Sequence, residues 1–127
     1  MSMIYYAQLT SQYLLKTFPE FKKEINAQTA FLEEELPHCI YADVLNPFLL
    51  GYFKKPNSND TELVERIFGF YEDLAVNGDS ETKSLLQVSL LEPLWDHRES
   101  YSGAQKFMEN ETKVIFDSIS AYLNIPM

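Results

Sequence analysis

The spacing of apolar residues between positions 61 and 95 narrows the fold more than any other feature of the chain. Leu63, Ile67, Phe70 and Leu74 recur at intervals of three and four, the repeat of one helix face. The other side of that stretch carries Glu62, Glu65, Glu72 and Asp73, with Arg66. A second stripe follows in Leu85, Val88, Leu91 and Trp95, broadened by Leu86, Leu90 and Leu94. An apolar arc this wide belongs to a helix that is central or packed on two sides. No sustained alternation of Val, Ile and Thr competes with these stripes, which argues against a sheet.

The remaining segments fit the same class. Ile4, Leu9, Tyr13 and Leu14 predict a helix over 4–17. Pro19 then marks a boundary and suits the first turn of a new helix. Phe21, Ile25 and Leu32, with Gln28 on the same line, predict that helix over 20–36, ended by Pro37. The run Glu33-Glu34-Glu35 opposes the helix dipole there, so either the helix frays or the acids serve another partner. Residues 38–45 read as a short turn or helix, with a strand over Cys39–Val44 as the alternative. A helix over 47–54 follows, with Asn46 as cap and Pro47 in the first position.

Residues 54–60 are the clearest loop, and Asp60 or Asn59 caps the helix over 61–76. Asn77-Gly78 supplies a left-handed stop, and Asp79 or Ser80 starts a helix over 80–95. Pro93 kinks that helix or stops it near Leu91. Residues 96–103 form a polar connection. A final helix over 104–123 carries Phe107, Met108, Thr112, Ile115, Ile119 and Tyr122, with a break at Asn110 and a terminal stop at 124–127. There is no internal repeat.

A chain of 127 residues fits one domain spanning 1–127. Size scaling gives a folded surface of roughly 7,000 Å² against roughly 21,500 Å² unfolded, enough for a real core. The expected architecture is all-α, a compact antiparallel bundle of about five or six helices.

Several chemistries are disfavoured. The net charge is −9, which opposes phosphate-backbone binding, and no nucleic-acid partner is expected. The longest apolar runs, such as Phe48-Leu49-Leu50, are too short to span a bilayer, so no membrane partner is expected. The first residues lack the pattern of a signal peptide. With a single cysteine, Cys39, no intrachain disulfide can form, and a reducing cytoplasm is the expected location. Cys39 itself reads as a small buried side chain. His-Glu-x-x-His and the paired Glu-x-x-His elements of di-iron bundles are absent, and Glu92 with Asp96 offers at most a weak cation site if the helix survives Pro93. No catalytic residue, metal or cofactor is expected. An enzyme or ligand-binding reading requires a pocket in which His38, Cys39 or His97 meets a carboxylate.

Protein binding fits best. Residues 56–127 hold nearly all of the net charge, −8 against −1 for residues 1–55. Such a field steers a basic protein partner and rejects acidic competitors. The candidate contact residues are Glu72, Asp73, Glu92, Asp96, Glu99 and Tyr101. Trp95 reads as core because it continues the leucine stripe. Self-association through surplus apolar faces around residues 85–95 is the structural alternative, a homo-oligomer.

Four segments carry a resemblance: Phe18-Pro19-Glu20-Phe21, Leu36-Pro37-His38, the Leu63–Leu74 stretch, and Leu90-Leu91-Glu92-Pro93-Leu94. Together they resemble a poorly characterised group of small acidic bacterial helical proteins. In that group a Phe-Leu-Glu sequence often precedes a Leu, whereas here Leu90-Leu91-Glu92 is followed by Pro93. The resemblance implies an all-helical bacterial cytosolic protein without established catalytic residues. Some proteins of this sort serve as immunity proteins against toxins.

Overall fold

In the computed structural model, residues 2–30 and 34–123 are described. Among these residues seven α-helices run in the order α1 (Ser11–Thr17), α2 (Lys22–Thr29), α3 (Pro37–Lys54), α4 (Thr61–Asn77), α5 (Ser80–Ser84), α6 (Arg98–Gln105) and α7 (Asn110–Leu123). The class is all-α as expected, with seven helices rather than five or six. Among the described residues there is no strand, only an isolated bridge between Ile4 and Gly78. No helix among them is long and apolar enough to cross a membrane. The expectations at Leu32, Glu33, the Tyr122 side chain and the stop at 124–127 lie outside what is described.

The first helix begins later than its apolar pattern suggests. Thr10 caps α1 by accepting the Tyr13 N–H at 3.1 Å. Upstream, Ile4 is held in an extended link, its N–H on the Asn77 carbonyl and its carbonyl receiving the Asp79 N–H. Those bonds replace the helical ladder over residues 4–10, apart from a 3-10 turn at Tyr6–Gln8.

Within the acidic run, Glu35 serves another element. The helix stops at Thr29, and Glu35 turns back to the start of α1. There its carboxylate accepts the Ser11 N–H at 2.8 Å and the Ser11 hydroxyl at 2.5 Å. An anion at a helix N-terminus satisfies orphan donors and complements the dipole.

Pro37, expected to end the second helix, instead opens α3, since α2 has already stopped at Thr29. Residues 37–54 form one helix, so neither the split at Asn46 nor the strand is found. Ile40, Tyr41, Val44, Leu45, Leu49 and Phe53 are buried along it. Pro47 lies inside the helix at a cost of about 3 kcal/mol, which burial of that face outweighs. Asn46 is not a cap, because its amide crosses to the Ser89 carbonyl at 2.8 Å.

Helix α4 keeps the expected bounds to within a residue and buries Val64, Ile67, Phe68, Phe70, Tyr71, Leu74 and Ala75. Asp60 sits at its N-cap position without a side-chain capping bond. The stop after Asn77 is not left-handed: Gly78 has φ −73° and ψ 148°. Glycine is needed there for close approach. A Cβ would lie 2.4 Å from the Leu74 carbonyl oxygen and 2.6 Å from Thr82 Cγ2.

The stretch expected as a helix over 80–95 changes pitch twice. Asp79 caps α5 through the Thr82 N–H at 2.9 Å. A π-helical segment, Leu85–Leu91, follows, and a 3-10 segment, Glu92–Asp96, completes the rod. The Glu92 N–H reaches back five residues to the Gln87 carbonyl. Leu85, Leu86, Leu90 and Leu91 are buried, a spacing of five that matches this wider turn. Val88, placed on the core stripe by α-helical spacing, is therefore exposed. The π-helical segment ends at Leu91, where a stop caused by Pro93 was one expectation, and Pro93 itself lies in the 3-10 segment.

The connection expected at 96–103 is instead mostly α6. Ser100 anchors it from a buried position, donating to the Leu94 carbonyl at 2.8 Å and the His97 carbonyl at 3.0 Å. The expected break before α7 falls at residues 106–109. Phe116 and Ile119 enter the core from α7. Buried side chains from the N-terminal segment through α7 form one continuous core, with α3 against the π-helical segment and α6, and α4 against α7.

Candidate interaction surface

On α4, burial of the apolar side leaves Glu62, Glu65, Gly69, Asp73 and Val76 exposed, with Glu72 half-buried at the edge. Glu72 lies where α4 meets α7. Its carboxylate accepts the Thr112 N–H at 2.9 Å, the Thr112 hydroxyl at 2.8 Å and the Glu111 N–H at 3.1 Å. It therefore caps a helix that begins about forty residues later, and it brings the exposed Glu111 against α4. Asp73 accepts a hydrogen bond from the Asn77 amide at 2.6 Å.

The nearby cations are engaged elsewhere. Arg66 binds Glu62 at 2.7 Å and also pairs with Glu20, holding the Glu20 carboxyl below the usual carboxylate range. Lys113 pairs with Asp117 at 2.5 Å. Among the described residues, no ion pair involves Glu65, Asp73, Glu109 or Glu111. The exposed Glu65, Asp73, Glu109 and Glu111 thus carry charge that no ion pair among the described residues offsets.

The second group of acids is differently built. Glu92 is half-buried, while Asp96 and Glu99 are exposed. Glu92 and Asp96 fall in the 3-10 segment, whose pitch aligns i with i+3 and turns a residue at i+4 aside. The shared face expected for them is absent, and no group of three or more potential metal ligands occurs among the described residues. Glu99 lies with His97 and Lys54 on a cleft of about 410 Å³ between α3 and α6, floored by Leu50 and Gly51. Tyr101 is half-buried, its ring 4.7 Å from Trp95 and 5.6 Å from Phe116. Trp95, expected in the core, is half-buried at its edge and donates its indole N–H to the Phe116 carbonyl at 3.2 Å.

Of the groups considered for catalysis, His97 lines the α3–α6 cleft together with Glu99, whereas His38 and Cys39 do not line it. His38 Nδ1 lies 2.7 Å from the Ser89 hydroxyl, and its ring packs 5.7 Å from Tyr6. The partner is a hydroxyl where the enzymatic reading required a carboxylate. Cys39 is exposed, not buried, because α3 turns its neighbours Ile40 and Tyr41 inward. Spacing alone reveals neither the Glu72 cap nor the His38–Ser89 contact, since each joins residues distant in the chain.

A family model described as a domain of unknown function, DUF7674, matches residues 11–124. The chain belongs to this family. The DUF7674 match starts at the first residue of α1 and ends just past α7, so it includes all seven helices and both acidic groups. Comparison with curated proteins and with solved structures finds no match to this DUF7674 chain.

Proposed function

We propose that this protein is an interaction module whose acidic α4–α7 seam receives a basic protein partner. The observation that carries this reading is the pairing pattern. Arg66 and Lys113 are engaged by Glu20, Glu62 and Asp117, while Glu65, Asp73, Glu109 and Glu111 face solvent without an ion pair among the described residues. Charges arranged in this way raise the encounter rate with a positive surface and repel a negative one. An immunity or inhibitor protein acting in the cytoplasm on a basic target is the specific form of this reading. Glu92, Asp96, Glu99 and Tyr101 lie outside the seam and form a secondary contact region in the proposal.

Affinity capture from native lysate at low salt tests it. A partner with a basic surface should be retained, released as salt rises, and lost when Glu65→Lys and Asp73→Lys are combined. Retention that ignores both salt and charge reversal would remove the seam from the account. Glu72 is left intact because its carboxylate holds α7.

A further inference from the structure

Helices α3 and α6 press together at one point and stand apart at another. At Gly103 a Cβ would lie 2.6 Å from Phe53 Cδ1, so glycine sets the close approach there. At the start of α6 the two helices leave the cleft of about 410 Å³, within the size range of small-molecule sites. One wall is the first turn of α6, which carries His97 and Glu99. The buried Ser100 hydroxyl ties that turn to the Leu94 and His97 carbonyls. The other wall is the end of α3, with Leu50, Gly51 and Lys54.

Gly51 is not required by packing, because an added Cβ would meet nothing within 4 Å. A glycine inside a helix is destabilising relative to alanine. What it provides at this position is open floor beside Leu50.

Charge selects the ligand. Lys54 and Glu99 line one cleft with opposite sign, yet no ion pair among the described residues joins them or engages either. The His97 side chain makes no capping bond to α6. Lys55, Asp96 and Arg98, next in sequence, are exposed and do not line the cleft. With these three counted, the surroundings still carry both signs. A lone anion meets Glu99 and a lone cation meets Lys54. A molecule with both an ammonium and a carboxylate complements the two together.

We propose that the α3–α6 cleft binds a free amino acid with an apolar side chain. Lys54 receives the carboxylate, Glu99 the ammonium and Leu50 the side chain, while His97 completes the polar wall. This site goes beyond the interaction reading and does not depend on the α4–α7 seam.

The isotope-labelled full chain is titrated with L-leucine, L-methionine and L-phenylalanine up to about 10 mM, which covers weak small-ligand binding, and backbone amide shifts are followed. At least one of the three should move the Gly51, Lys54 and Glu99 amides saturably. That amino acid is then compared with its N-acetyl form, which lacks the cation, and its carboxamide, which lacks the anion. Each blocked form should bind on the order of ten-fold more weakly, as loss of a charge-assisted hydrogen bond does. Lys54→Met should erase the advantage over the carboxamide, and Glu99→Gln the advantage over the N-acetyl form. Gly51→Leu should fill the cleft and abolish the shifts, whereas Gly69→Ala on α4 should leave them intact. Circular dichroism checks folding, and Gly51→Met replaces Gly51→Leu if that variant unfolds.

No saturable shift at the cleft with any of the three, shifts confined to other surfaces, or shifts that survive filling at Gly51 would each overturn the proposal. Either blocked form binding as tightly as the amino acid would also overturn it, leaving a site for a single charge. The combined Glu65→Lys and Asp73→Lys variant should bind the amino acid as the wild type does. Salt-sensitive capture of a basic partner without cleft shifts leaves the seam standing and overturns the cleft, and cleft shifts in a chain that captures no such partner do the reverse.

Discussion

Glu72 on α4 caps α7 from outside, accepting both the N–H and the hydroxyl of Thr112. Bonds from an ionised carboxylate to helix-terminal donors are stronger than neutral ones. Glu72→Ala should lower stability by about 1–3 kcal/mol, the range for losing a cap together with charged hydrogen bonds. Glu72→Gln keeps one carbonyl acceptor and should cost less. Urea unfolding of the two variants checks the order.

The two faces of α7 should respond unequally. Phe116 is fully buried and its ring lies 5.1 Å from that of Trp95. Phe116→Ala should cost about 3–5 kcal/mol, the range for truncating a buried aromatic. Val114 is 62% exposed, and Val114→Ala should stay within about 0.5 kcal/mol. Trp95 fluorescence during denaturation reports both, and only the Phe116 variant should alter the native spectrum.

Two glycines should move stability in opposite directions. Gly78→Ala forces a Cβ against the Leu74 carbonyl and Thr82, and should cost about 1–3 kcal/mol as overpacking. Gly69 sits within α4, where a Cβ would meet no neighbouring side chain within 4 Å. Gly69→Ala should stabilise by about 1 kcal/mol through helix propensity. Thermal unfolding distinguishes the signs.

Acid should weaken the link between the N-terminal segment and α5. Hydrogen bonds from Thr82, and the N–H of Tyr6, hold the Asp79 carboxyl below its usual range. A lowered folded-state value gives stability that is present above the unfolded value, about 3.9. That contribution is lost as pH falls through the lower folded value. Stability of the wild type relative to Asp79→Asn should therefore shrink as pH drops below about 4. Urea midpoints at successive pH values check this, and parallel curves would contradict it.

The helix class is readable because Leu63, Ile67, Phe70 and Leu74 report a single local period. The same rule misplaces Val88, since a π-helical turn changes the phase without any local residue announcing it. Thr10 with Tyr13 and Asp79 with Thr82 are local caps, although the apolar pattern on both sides of Thr10 masks the first of them. Asn46–Ser89, Glu35–Ser11 and Glu72–Thr112 depend on tertiary approach, which a single sequence does not order. The acidic bias of the second half is legible from charge alone. Its division between a structural carboxylate at Glu72 and solvent-facing ones at Glu65 and Asp73 is not.

The most direct measurement is the association rate of the purified partner with the wild-type chain and with the combined Glu65→Lys and Asp73→Lys variant across a series of ionic strengths. The account predicts a wild-type rate that falls steeply as salt screens the seam, and a variant rate that is lower and nearly flat. Equal rates with equal salt dependence in the two proteins would contradict it.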